Sequence, residues 1–145
     1  MDIAQEVFAI KLYELEQQYG KLQTRLRLCG KENHRKIQEE LRKVKDEYEE
    51  SHLLLQERLK NCRSQAVSRL ARAQLDYQKA TEDIVKKQLA RDLHGENTSS
   101  TQDKAEASAL YAEFAIDFAT LSMQQALIAA LSALDRQENA GKEEE

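Results

Sequence analysis

Residues 33–93, NHRKIQEELRKVKDEYEESHLLLQERLKNCRSQAVSRLARAQLDYQKATEDIVKKQLARDL, are the stretch on which the fold turns. They contain neither proline nor glycine, and their apolar residues recur at helical spacing. Ile37, Leu41, Val44, Tyr48, His52, Leu55, Leu59, Cys62, Ala66, Leu70, Ala73, Tyr77, Ala80 and Ile84 keep one register over 47 residues in thirteen steps. That is about 3.6 residues per step, the period of a straight α-helix. Asn61-Cys62-Arg63-Ser64 is the one weak point, and a break there would normally reset the phase. The unbroken register favours a continuous helix over 33–93, roughly 90 Å long. The alternative is a turn near 61–64, which would give a compact four-helix bundle with helices of similar length.

On the N-terminal side, Phe8, Leu12, Leu15, Tyr19, Leu22 and Leu26 are spaced by four and three residues in alternation, a heptad-like seam of the coiled-coil kind. Asp2 is placed to cap that helix, and Gly30 to end it in the left-handed conformation. The helix is expected over about 2–28. Gly20 interrupts it, marking either a close helix contact or a tolerated surface position. Asn33 is the expected cap of the next helix. On the C-terminal side, His94-Gly95-Glu96-Asn97-Thr98-Ser99-Ser100-Thr101 joins a glycine stop to a cluster of capping residues. Ser99 with Gln102, or Ser100 with Asp103, would start a helix over about 102–136. The polar end, 137–145, finishes in three glutamates and is expected to be a disordered acidic tail.

The composition agrees with these helices. The chain has 145 residues, 41% hydrophobic and 33% charged, with four glycines, no proline and no tryptophan. A sandwich or barrel needs turn residues every ten positions or so, and this chain lacks them. The expectation is an all-α fold forming one helical domain over 1–136. The favoured form is an elongated antiparallel bundle built on the long central helix.

The helix over 102–136 has the most to say about function. At 100° per residue, Leu110, Phe114, Phe118, Leu121 and Ile128 share one face, and Ile116, Ala119, Met123, Leu127, Ala130 and Leu134 share the opposite one. A polar stripe of Glu106, Glu113, Asp117, Thr120 and Gln124 runs between them. A helix apolar on two sides packs against two neighbours. One chain folded as two hairpins supplies only one neighbour, so a homodimer is expected, related by a two-fold axis. The expected interface residues are Leu110, Phe114, Phe118, Leu121, Met123, Leu127 and Leu134.

Charge is unevenly spread, with a net of −3 over 1–20, +6 over 21–79 and −7 over 80–145, for −4 in all. Opposite charges within one chain favour complementary parts of one fold. An alternative is a nucleic-acid-associated accessory protein using the basic stretch 21–45 through Lys21, Arg25, Arg27, Lys31, Arg35, Lys36, Arg42 and Lys43. Against it, the stretch has no aromatic residue for base stacking, and Glu39, Glu40, Asp46 and Glu47 are interleaved nearby.

Catalytic chemistry finds little footing. Glu49 and His52 have the Glu-x-x-His spacing of dimetal bundles, but no second such pair exists. His52 is therefore read as a partly buried seam residue. Glu113 and Asp117, four apart, lie on the stripe read as solvated. No glycine-rich phosphate loop or nucleophile elbow is present. No enzyme activity, metal or cofactor is expected. Cys29 and Cys62 match no zinc or redox spacing, and a helix of about 33 residues holds them roughly 50 Å apart, too far for a disulfide within the chain. The N-terminus lacks a basic start followed by an apolar run. Glu113, Asp117, Gln124 and Gln125 argue against a lipid-spanning helix over 109–134. The expectation is a cytoplasmic, non-enzymatic protein that works by helix–helix association, as a self-assembling spacer, adaptor or regulatory subunit.

Overall fold

A computed structural model describes residues 3–30 and 33–143 of the chain. The fold is all-α, and no strand occurs among the described residues. Helix α1 (Ile3–Cys29) ends at Gly30, whose φ of 66° is the left-handed value that glycine adopts without steric cost. Helix α2 (His34–Lys60) starts at Asn33, whose side-chain oxygen accepts from the Lys36 backbone N–H at 3.1 Å. Helix α3 (Gln65–Ile84) continues through a π-helical turn (Val85–Leu89) into α4 (Ala90–Asp92). Helix α5 (Ser100–Glu143) opens with a reciprocal capping box. There the Ser99 hydroxyl accepts from the Gln102 N–H at 3.2 Å, and the Gln102 side chain accepts from the Ser99 N–H at 2.9 Å.

Two expectations are corrected. The helix over 33–93 is not continuous: α2 stops at Lys60, residues 61–64 leave the helix, and α3 begins at Gln65. The stop is local chemistry. Ser64 takes an extended backbone, with φ −85° and ψ 121°, and its hydroxyl accepts from the Val67 N–H at 3.4 Å. The phase does reset across this break. Along α2 the half-buried face is Val44, His52, Leu55 and Leu59, but along α3 it is Ser68, Ala71, Leu75 and Gln78. Leu70, Tyr77 and Ile84, expected on the inner seam, are 70%, 47% and 46% exposed. The second correction concerns the tail. Residues 137–143 continue α5, with Lys142 Nζ 3.7 Å from Glu138 one turn back; the last two glutamates lie outside the described residues.

The chain divides into two compact units. One joins the residues up to Lys43 with those from Ala119 onward. In it Phe8 and Leu12 of α1 are half-buried, as are Met123, Ala130 and Leu134 of α5. Arg25 and Glu40 form an ion pair that ties the end of α1 to the start of α2. The other unit is Val44–Phe118. Two antiparallel hairpins make it. His52 of α2 meets Gln78 of α3 across the 61–64 turn, and Tyr77 of α3 meets Phe118 of α5 across the loop at 93–99.

Candidate association surface

Within the Val44–Phe118 unit, α3 and the π-helical turn form one wall of an apolar groove, and α5 forms the other. Tyr77, Thr81, Ile84, Val85 and Leu89 face Leu110, Tyr111, Phe114, Ala115 and Phe118 across about 390 Å³. None of these side chains is charged at neutral pH. Ring stacking defines one end, with Tyr77 and Phe118 centroids 4.8 Å apart and 17° between planes. Near the middle, the Thr81 hydroxyl donates back to the Tyr77 and Gln78 carbonyls at 3.1 and 2.9 Å. Those bonds occupy its proton, so Thr81 offers the groove no free donor. The π-helical turn carries one extra residue per turn, and Val85 and Leu89 both line the same wall.

The expected interface residues separate into three groups. Leu110, Phe114 and Phe118 line the groove, and Phe114 is 67% exposed. Leu121 and Leu127 lie farther along α5 and are exposed, together with Ile128 and Leu131. Met123 and Leu134 are half-buried. The groove's α3 wall was not foreseen, because Tyr77 and Ile84 were placed on the inner seam. The available signal was a second apolar stripe, in which Ala71 and Leu75 of α3 take the interior and Val85 and Leu89 of the π-helical turn are half-buried at the groove.

The polar candidates are accounted for by local pairing. His52 is half-buried, its Nδ1 2.8 Å from Gln78 Oε1 and its Nε2 3.3 Å from Gln56 Nε2. Gln78 Oε1 can only accept, so the His52 Nδ1–H donates to it across the α2–α3 hairpin. Glu49, Glu113 and Asp117 are exposed, and no three His, Cys, Asp or Glu side chains converge among the described residues. Cys29 and Cys62 are free thiols, donating to the Arg25 and Ser64 carbonyls at 3.3 and 3.2 Å.

One pair escaped the sequence reading. Asp103, buried in the first turn of α5, accepts a hydrogen bond from His94 Nδ1 on Oδ2 at 2.6 Å. Its Oδ1 is sealed from solvent with no hydrogen-bond partner among the described residues. The His94 hydrogen bond, and after it the neighbouring Thr98 hydroxyl, hold the carboxyl below its ordinary range, against the opposing pull of burial. The pair clips the 93–99 loop to α5.

In the basic stretch, Arg25 is bound to Glu40 and Arg35 lies 3.2 Å from Glu39. Lys21, Arg27, Lys36, Arg42 and Lys43 are exposed, and Lys31 lies outside the described residues. Helix α5 carries a window of mean hydropathy 1.4, long and apolar enough by length and composition to cross a membrane, and none of that window is buried. The chain matches no family model, no curated protein and no solved structure.

Proposed function

We propose that this chain works by protein–protein association, as a self-assembling spacer, adaptor or regulatory subunit, with α5 as its principal contact element. One observation carries the reading. Among the described residues the only buried hydrophobic side chains are Ala71 and Ala107, while Phe114, Phe118, Leu121 and Ile128, which share one face of α5, are all exposed. Contiguous apolar surface of this extent marks an interaction site on a soluble protein. A second helical layer covers it and completes the bundle.

A lipid bilayer is the competing cover, on the strength of the apolar window in α5. Gln124 and Gln125 fall in the middle of that window. Their amides find donors and acceptors on a partner helix, whereas hydrocarbon offers none. Light scattering on a size-exclusion column, paired with flotation on neutral and anionic vesicles, separates the two covers. The expected result is a particle of about 33 kDa, twice the 16.7 kDa chain, that stays off the vesicles. A 16.7 kDa particle that floats with vesicles overturns the reading.

A further inference from the structure

We infer that the α3–α5 groove is half of an isologous interface, and that its occupant is the same groove of a second copy of this chain. The inference rests on the association reading and adds to it the surface and the partner. Three observations lead there.

The apolar surface is longer than the groove. Leu70, Tyr77 and Ile84 are spaced seven apart on α3, which puts them on one stripe, and Leu70 is the most exposed of the three. A small apolar ligand seated among Tyr77, Ile84 and Phe114 leaves Leu70 in water. A helix pair laid along the stripe covers all of it.

The area is sufficient. Leu70, Tyr77, Ile84, Tyr111, Phe114 and Phe118 are 70, 47, 46, 39, 67 and 46% exposed. At roughly 200 Å² for each whole side chain, they leave roughly 600 Å² uncovered. Two copies face to face therefore bury on the order of 1,200 Å², the lower end of the range for specific stable interfaces. Val85, Leu89 and Leu110, half-buried in the groove, add to that figure.

The electrostatics allow like to meet like. A two-fold axis brings a surface against itself, so any net charge at its centre repels its own copy. No residue lining this groove is charged at neutral pH. Two α3–α5 hairpins joined in this way make a four-helix layer with the aromatic rings inside.

The full-length chain tests this, by light scattering at concentrations on the order of 100 µM, with circular dichroism as the check on folding. Phe114→Glu places a charge in the groove at an exposed position, and Leu131→Glu places one on α5 outside it. The chain has no tryptophan, so Phe114→Trp gives a single fluorescent reporter inside the groove. The expected result is a wild type of about 33 kDa, Phe114→Glu at 16.7 kDa with helicity kept, and Leu131→Glu unchanged in mass. The Phe114→Trp emission should shift to the blue as concentration rises. If Phe114→Glu stays dimeric while Leu131→Glu dissociates, the groove is not the interface and the association reading survives. A monomeric wild type with a concentration-independent, solvent-like tryptophan emission removes the second copy as occupant. Should Phe114→Glu lose helicity, the tryptophan emission decides alone.

Discussion

Tyr77 and Phe118 stack with ring centroids 4.8 Å apart, and each ring still keeps nearly half its surface in solvent. The pair does two jobs at once: one face of each ring closes the α3–α5 hairpin, and the remainder is apolar surface held open. An offset ring pair contributes about 1 kcal/mol beyond its area. A double-mutant cycle of Tyr77→Ala and Phe118→Ala, read by chemical denaturation, should return a coupling of about that size. A coupling indistinguishable from zero would mean the rings are neighbours without being partners.

Ser64 stops the register that runs through the centre of the chain. Removing a serine cap costs about 1 kcal/mol, so Ser64→Ala should lower the unfolding free energy by about that amount. Replacing Asn61 and Ser64 together with alanines removes the two poorer helix formers of the turn and should raise the helical signal by circular dichroism. If neither variant changes anything, the turn is imposed by packing and the cap is incidental.

These two cases mark where the sequence was legible. Asn33, Gly30 and the Ser99–Gln102 box were readable because each element end is made by side chains within three residues of it. The class was readable because no proline and few glycines interrupt the apolar periods. The break at 61–64 was not, and the reason is degeneracy. Helix α3 and the π-helical turn after it carry two apolar stripes, Leu70–Tyr77–Ile84 and Ala71–Leu75–Val85–Leu89, and only the first continues the phase of α2. Periodicity locates a stripe but does not say which of two stripes faces inward. That choice hid the groove as well, since its α3 wall is the stripe assigned to the interior. The His94–Asp103 clip was hidden differently: nine residues separate the two, and only a folded loop brings them together.

Asp103 gives the molecule an acid-sensitive contact. Its carboxyl is held below the ordinary 3.8, first by the His94 hydrogen bond and then by the Thr98 hydroxyl, while burial opposes them. For a folded value below the unfolded one, the contribution to stability is fully present above the unfolded value. It is lost as pH falls below 3.8 and through the folded value. The stability difference between wild type and Asp103→Asn should shrink as pH falls below about 4. A difference that grows as pH falls below about 4 would give the shift the opposite sign.

The basic residues near the α1–α2 turn are expected to be a solvated surface, with Arg25 and Arg35 already engaged by Glu40 and Glu39. Titration of labelled RNA and duplex DNA should show no saturable binding at moderate salt. Binding that falls by orders of magnitude between about 50 and about 200 mM salt is the signature of phosphate contacts. Its appearance, and its loss in Lys36→Glu with Arg42→Glu, would move the function to the nucleic-acid alternative.

The two sides of α5 are expected to respond differently to charge. Met123 is half-buried, while Glu113 is exposed on the polar stripe. Met123→Glu places a carboxylate against apolar neighbours, which costs on the order of 1–3 kcal/mol unless the chain opens to let water reach it. Glu113→Lys exchanges one solvated charge for another and should stay within about 0.5 kcal/mol of wild type. Met123→Glu should therefore lower the unfolding midpoint and weaken assembly, with the oligomer dissociating at a higher concentration than wild type. Glu113→Lys should match wild type in both. Light scattering over a dilution series and urea denaturation read the two quantities on the same samples. Equal effects from the two substitutions would falsify the division of α5 into an apolar contact surface and a polar stripe.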